Sequence, residues 1–207
     1  MYLPRQNKMV YAFFSWYIKR IIRSDFERFE YNPIELDPNR SILLLANHFS
    51  WWDGFFLFYL NRIFLRKRFY IMAIEENYKR LWFLKYLGAF SLRKNSRSVI
   101  ETLEYAGKLL NDPNNVVVIF PQGKLHSSQT DEIHFEKGLI NLINSSDKTF
   151  QYLFVVMLSD YFQHRKPTLT CYLQSWEGAE FTSLQLIKSE FNKHYVESRK
   201  QQNQVSI

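Results

Sequence analysis

The segment Asn47-His48-Phe49-Ser50-Trp51-Trp52-Asp53 places an imidazole and a carboxylate five residues apart, directly after the apolar run at 41–46. An imidazole with one ring nitrogen held by a carboxylate is the working part of a general base, because the other nitrogen can take a proton from an alcohol. On one continuous helix, side chains five residues apart point about 140° away from each other. The two groups therefore meet only if His48 precedes a helix and Asp53 lies in its first turn. Ser50 as N-cap and Asp53 as third helical residue satisfy that requirement. The same spacing has a reading without chemistry: Ser-x-x-Asp is a capping-box variant, in which both side chains serve backbone N–H groups at a helix start.

The elements that must position this pair are legible in outline. Residues 41–46 (SILLLA) read as a buried strand. In an open α/β sheet ligands gather at the carboxyl ends of the strands, and His48 emerges at such an end. Further strand candidates are 69–73, 116–120 (VVVIF, ended by Pro121), 152–158 and 168–173. Helical stretches fall at about 51–64, 75–87, 96–110, 135–144 and 181–197. The alternation predicts a single α/β domain, with a mixed, mostly parallel sheet flanked by helices.

An N-terminal amphipathic helix is expected over 9–23, with Val10, Phe13, Phe14, Tyr17, Ile18 and Ile21 on one face and Lys19, Arg20 and Arg23 toward its end. The stripe fits packing on the core, whereas Tyr11 and Trp16 off the stripe fit an interfacial anchor; one helix can do both. Pro33 and Pro38 mark 31–40 as a linker. Residues after 197 are polar and expected to fray. The organisation is thus a helical segment 1–30, a catalytic-type domain 31–197 and a polar tail 198–207.

Composition narrows the function classes. The chain has 207 residues, enough for one domain with a full core. With 46% apolar and 23% charged residues, and only six Gly and six Pro, low-complexity and collagen-like readings are excluded. A formal charge of +7 and 18% aromatic residues imply a basic, aromatic surface suited to anionic lipid headgroups, nucleic acid or an acidic carrier protein. The basic, aromatic run at 62–70 lies outside any known nucleic-acid motif and reads as a basic rim, so no nucleic-acid partner is expected.

Cys171 is the only cysteine, which excludes an internal disulfide and a Cys-based metal site and fits a reducing compartment. The N-terminus lacks a signal-peptide layout, and no apolar run reaches the roughly 18–20 residues of a spanning helix. Work at a membrane would mean lying on it, peripherally, at the cytoplasmic face. His126, His134 and His164 sit on different segments without metal-like spacing and read as surface or loop histidines. No metal is expected. His126 alone has a place near a substrate.

Asn47-His48-x-x-x-x-Asp53 resembles the N-H-x-x-x-x-D motif of the glycerolipid (lysophospholipid) acyltransferase family. Three further segments resemble that family's motifs in order. Gly88-Ala89-Phe90-Ser91-Leu92-Arg93 is similar to the second, Phe120-Pro121-Gln122-Gly123 to the third, usually F-P-E-G, and 152–160 to the hydrophobic fourth. Phe135-Glu136-Lys137-Gly138 resembles the F-x-x-G that comes after the third.

The resemblance implies an O-acyltransferase of phospholipid biosynthesis. In it His48 deprotonates a lipid hydroxyl, Asp53 orients the imidazole, and the alkoxide attacks an acyl thioester. The donor would be acyl-CoA or acyl-carrier protein and the acceptor a lysophospholipid, with no cofactor, metal or acyl-enzyme. Arg93 would contact phosphate, its planar guanidinium suiting an oxyanion, and Asn47, Phe120, Pro121, Gln122 and Gly123 would border the substrate. Lys94 and Arg97 add positive charge nearby.

The chain departs from the pattern at Gln122, where Glu is usual, and at Lys124, where Thr is common, with His126 nearby in place of an Arg. The fourth segment has Phe154-Val155-Val156-Met157 where Pro is frequent. The changes in the third motif alter the polarity of the acceptor site, leaving another lysolipid, an amino-acid lipid or a glycosylated lipid open as acceptor; with the basic, aromatic surface they motivate an alternative, a non-catalytic lipid- or membrane-binding relative.

Overall fold

Ile42, Leu43, Leu44 and Leu45 are consecutive, so as a strand they point to both sides of a sheet and need cover on both. The computed structural model, which describes residues 1–92, 96–178 and 182–206, supplies it. Strands β1 (Arg28–Tyr31), β2 (Ile42–Ala46), β3 (Arg68–Ile74), β4 (Ala89–Leu92), β5 (Asn115–Ile119), β6 (Gln151–Asp160) and β7 (Thr168–Trp176) form one seven-stranded sheet. Its order is β1-β7-β6-β2-β5-β3-β4. Every neighbouring pair is parallel except β6 and β7, so the sheet is mixed and mostly parallel.

Helices α1 (Lys8–Asp25) and α2 (Asp53–Leu60) pack on one face, where Ile18, Ile22 and Phe56 meet Ile42, Leu44, Val116, Val118, Leu153 and Val155. Helices α4 (Ser96–Leu109), α5 (Leu139–Asn144) and α6 (Leu184–Asn203) cover the other, where Leu103, Leu142, Ile187 and Phe191 meet Leu43, Leu45, Val117, Phe154 and Val156. The single α/β domain, the flanking helices and the N-terminal helix are as the sequence predicts.

Several boundaries differ, each for a physical reason. β1 and β4 are strands that the sequence reading missed. β1 is an edge strand of four residues with alternating exposure, too short and polar to resemble a buried run. The helix expected over 51–64 closes in a π-turn, Asn61–Leu65, that ends at Arg66 with φ 55°. The helix expected over 75–87 is α3 (Glu75–Arg80) followed by a 3₁₀ turn, Leu84–Leu87. There Leu81, Leu84 and Leu87 recur every three residues, which aligns them on a 3₁₀ rather than an α face.

The tail expected to fray continues α6 as far as Asn203. Ser198 and Gln202 are polar yet buried; Gln202 accepts from the Tyr172 hydroxyl and donates to Asp160. On α1 the buried residues are Ile18 and Ile22, while Phe13 and Tyr17, expected on the inward stripe, are exposed.

The outer edge of β4 is not left open. Tyr2 N donates to Ser91 Oγ (2.8 Å) and Ser91 N to Tyr2 O (2.9 Å). The Tyr78 hydroxyl donates to Leu3 O (2.7 Å) and Arg5 N to Lys85 O (2.7 Å). Residues 1–5 thus strap together α3, the 3₁₀ turn and β4.

Candidate active site

β2 and β5 are parallel neighbours with Leu45 opposite Ile119, so the chain leaves both strands at the same end of the sheet. From β2 comes Asn47-His48, and from β5 comes Phe120-Pro121-Gln122-Gly123. Their rings meet: His48 stacks on Phe120 with centroids 4.0 Å apart and planes 12° apart.

The chain after His48 turns through Ser50, whose hydroxyl accepts from Trp52 N (3.2 Å), and enters α2 at Asp53. Asp53 is therefore the first residue of the helix rather than the third. Its Oδ2 lies 2.8 Å from His48 Nδ1 and accepts from Phe49 N (2.8 Å) and Ser50 N (2.9 Å). The expected cap at Ser50 is not formed: the N-cap is Trp52, which makes no side-chain cap bond, and the Asp53 carboxylate instead gathers the turn before the helix while holding the imidazole. Against an ionised carboxylate, which only accepts, Nδ1 is the donor, and in the neutral ring that arrangement leaves Nε2 as the acceptor nitrogen.

Burial separates the two partners. Asp53 is fully buried while the His48 side chain keeps 22% of its surface exposed. Burial raises the Asp53 pKa above the usual carboxylate value, and the bonds from His48, Ser50 and Phe49 draw it back. Asp53 Oδ1 is buried with no hydrogen-bond partner among the described residues. Cys171 lies buried in the same core, and burial together with the Asp53 charge pushes its pKa up, so it stays a thiol and offers no nucleophile.

His48 lines an apolar cavity of about 570 Å³. Trp51, Gly54, Phe55 and Phe58 wall it from the α2 side, and Phe69, Ile71 and Ala73 from β3. Asn77, Leu81, Leu84 and Leu87 close it from α3 and the 3₁₀ turn, Ala89 from β4, and Phe120, Gly123, Lys124 and Leu125 from the turn after β5. Gly123 has φ +67°, and a Cβ there would stand 3.0 Å from Glu136 Cγ, so glycine suits both the backbone and the space. Glu136 N donates to Pro121 O (2.8 Å), tying the F-x-x-G segment to the turn.

His48, Asp53, Phe120, Pro121, Gln122 and Gly123 thus converge at one end of the sheet. Gln122 is buried and accepts from His48 N (2.6 Å). Asn47 faces elsewhere: its side chain donates to Met157 O (2.9 Å) and accepts from Met157 N (2.7 Å), extending the β2–β6 pairing. Arg93 and Lys94 lie outside the described residues, as does the side chain of Arg97. His126 N donates to His48 O (3.0 Å), and His134 is exposed. Among the described residues no group of three His, Cys, Asp or Glu side chains could hold a metal ion.

Sequence reasoning missed the cavity wall. Phe55, Ile71, Leu84 and Leu125 have no chemical signature in the sequence, and that β3, though flanked by β4 and β5, stays only half buried along most of its length is visible only in the fold.

The structure resembles the crystal structure of the 1-acyl-sn-glycerophosphate (LPA) acyltransferase PlsC from Thermotoga maritima. The TM-score is 0.61 over 96% of this chain and 82% of that one, at 17% sequence identity, so the likeness is one of fold. No curated protein sequence matches the chain. The family model "Acyltransferase" matches residues 28–156, from β1 into β6. That stretch carries the His48–Asp53 pair, the turn after β5 and the cavity between them, and the chain belongs to the acyltransferase family of enzymes.

Proposed function

We propose that this acyltransferase moves a fatty acyl group from a thioester, acyl-CoA or acyl-carrier protein, to a hydroxyl of a lipid acceptor such as a lysophospholipid, without a cofactor. The observation that carries the reading is an imidazole oriented by a buried carboxylate 2.8 Å away, on the wall of an apolar cavity of about 570 Å³. The cavity takes the acyl chain; pockets of that size and lining bury most of an apolar ligand. The acceptor O–H gives its proton to His48 Nε2 as its oxygen bonds to the thioester carbonyl carbon. The C–S bond then breaks and the proton passes to the departing sulfur. Asp53 stabilises the imidazolium in between. The Thermotoga enzyme's named substrate makes a lysophospholipid acceptor the first to try.

The same proposal has the enzyme working at a membrane surface, on its cytoplasmic face. No described helix is long and apolar enough to cross a membrane. Met9, Phe13, Trp16, Arg20 and Arg23 recur at helical spacing along α1, and all are exposed. The rings of Phe13, Phe14, Phe83, Phe55 and Trp51 touch in sequence, each pair 4.1 to 6.3 Å apart, so this exposed face is continuous with the cavity wall. An apolar and basic helix face of this kind suits anionic lipid.

The test is acceptor-blind. Wild type and His48→Ala are each given labelled long-chain acyl-CoA or acyl-carrier protein with a total lipid extract. Label moving into lipid with wild type and not with the variant is the expected result. Equal transfer by both removes His48 as base. No transfer by either, with vesicle binding retained, leaves the chain as a lipid-binding relative.

A further inference from the structure

The two backbone polar groups of His48 lie beyond the end of β2 and outside its ladder, so they need partners from elsewhere. Both partners come from the segment after β5. Gln122 Oε1 accepts from His48 N at 2.6 Å, and His126 N donates to His48 O at 3.0 Å. Phe120, from the same segment, lies flat against the imidazole. Asp53 holds Nδ1 from the opposite element. The base is therefore gripped at its N–H, its C=O, its ring face and one ring nitrogen.

Gln122 is the only one of these grips made by a side chain to the backbone of the base. Only 4% of its surface is exposed, and it is absent from the cavity wall although Phe120, Gly123 and Lys124 line it. Its location suits holding His48 better than touching substrate.

We propose that Gln122 is a positioning residue for His48: its amide oxygen anchors the His48 backbone so that the imidazole stands where the acceptor hydroxyl arrives. The inference rests on the reading of His48 as the base. A glutamate at 122 would offer the same acceptor atom, but as a second carboxylate buried against His48, which Asp53 already holds. The amide makes the bond without burying another charge. Small displacements of a base are costly in rate, on the order of 10²-fold for about 1 Å.

The experiment compares Gln122→Leu and Gln122→Glu with wild type in the full chain, reading kcat and KM for both substrates. The leucine variant is expected to lose kcat by roughly tenfold to a hundredfold, with both KM values held within about twofold. The glutamate variant, which keeps the acceptor oxygen, is expected to recover most of that loss. If the leucine variant does not fold, Gln122→Asn, one methylene too short to reach His48, carries the same expectation. A folded variant with unchanged kcat overturns the proposal. So does a raised KM for the lipid at unchanged kcat, which would make Gln122 a substrate contact. Histidine ring resonances, read by NMR without turnover, separate this outcome from failure of the base itself. A His48 signal that moves in the leucine variant and returns with glutamate supports the anchor even if His48→Ala remains active. A signal that never moves overturns it.

Discussion

The two faces of the sheet are built to different specifications. The face under α4, α5 and α6 is closed: Leu43, Leu45, Val117, Phe154 and Val156 meet Leu103, Leu142, Ile187 and Phe191, and the Tyr195 hydroxyl finds Thr130 O at 2.9 Å. The face under α1 and α2 is equally tight over the middle strands, but toward β3 and β4 it leaves about 570 Å³ unfilled. It also buries a carboxylate with one unpartnered oxygen. Protein interiors normally pack as densely as organic crystals, and both an apolar void and a buried charge lower stability. One side therefore carries the fold's cohesion, and the other departs from good packing at the place where chemistry is proposed.

That contrast can be tested first at its most extreme point. Asp53→Asn is expected to lower kcat by about 10²–10⁴ while leaving the protein folded, since the imidazole loses its orienting charge. A carboxyl whose folded pKa exceeds its unfolded value favours the fold only in acid, and withdraws that support as pH rises through the folded value. Urea midpoints of wild type and Asp53→Asn should thus lie nearest below about pH 4, with the balance shifting toward the variant by pH 7. A shift in the opposite direction would show that the bonds from His48, Ser50 and Phe49 outweigh burial.

The next comparison sets one substitution on each face. Phe191→Ala, on the closed side, should cost about 3–5 kcal/mol in unfolding and leave acyl-chain preference unchanged. Gly54→Leu, on the cavity wall, puts a Cβ 3.3 Å from Ile71 Cδ1, a tight contact with the end of a flexible side chain, and should cost less stability than Phe191→Ala. It should lower kcat/KM for long-chain donors roughly tenfold or more relative to short ones. Exchanged outcomes would mean that the faces have been assigned the wrong way round. The smallest effect is expected outside the core. Phe13→Ser with Trp16→Ser should weaken cosedimentation with anionic vesicles several-fold and change stability by only about 0.5 kcal/mol per site.

The closed side was also the more legible in the sequence. β2, β5 and β6 are continuous apolar runs because both their faces are covered, and such runs are visible one residue at a time. The His48–Asp53 pair was legible too, since its spacing lets the two groups meet only at a helix start, although Asp53 is the first helical residue and not the third. β4 and the 3₁₀ turn were not: β4 is only four residues long and includes the polar Ser91, and the turn's mostly half-buried residues carry neither an α-helical nor a strand period. The end of α6 was hidden differently. Ser198 and Gln202 are polar: Ser198 turns its hydroxyl back onto His194 O of its own helix, and Gln202 is made an interior residue by Tyr172 and Asp160, both distant in sequence. Gln122 appeared as a departure from a familiar motif; that its amide holds a backbone 74 residues away needed the fold.

The strap formed by residues 1–5 has a practical consequence. β4 is an outermost strand, and an uncovered strand edge is a template on which another copy of a chain can add. Tyr2 occupies the hydrogen-bonding position of Ser91 on that margin, while Leu3 and Arg5 tie the segment to α3 and the 3₁₀ turn, an arrangement that covers the edge against such addition. Trimming these residues to simplify purification would uncover the edge and free three walls of the cavity together. Loss of solubility and loss of a defined acyl preference would then arrive from a single cut.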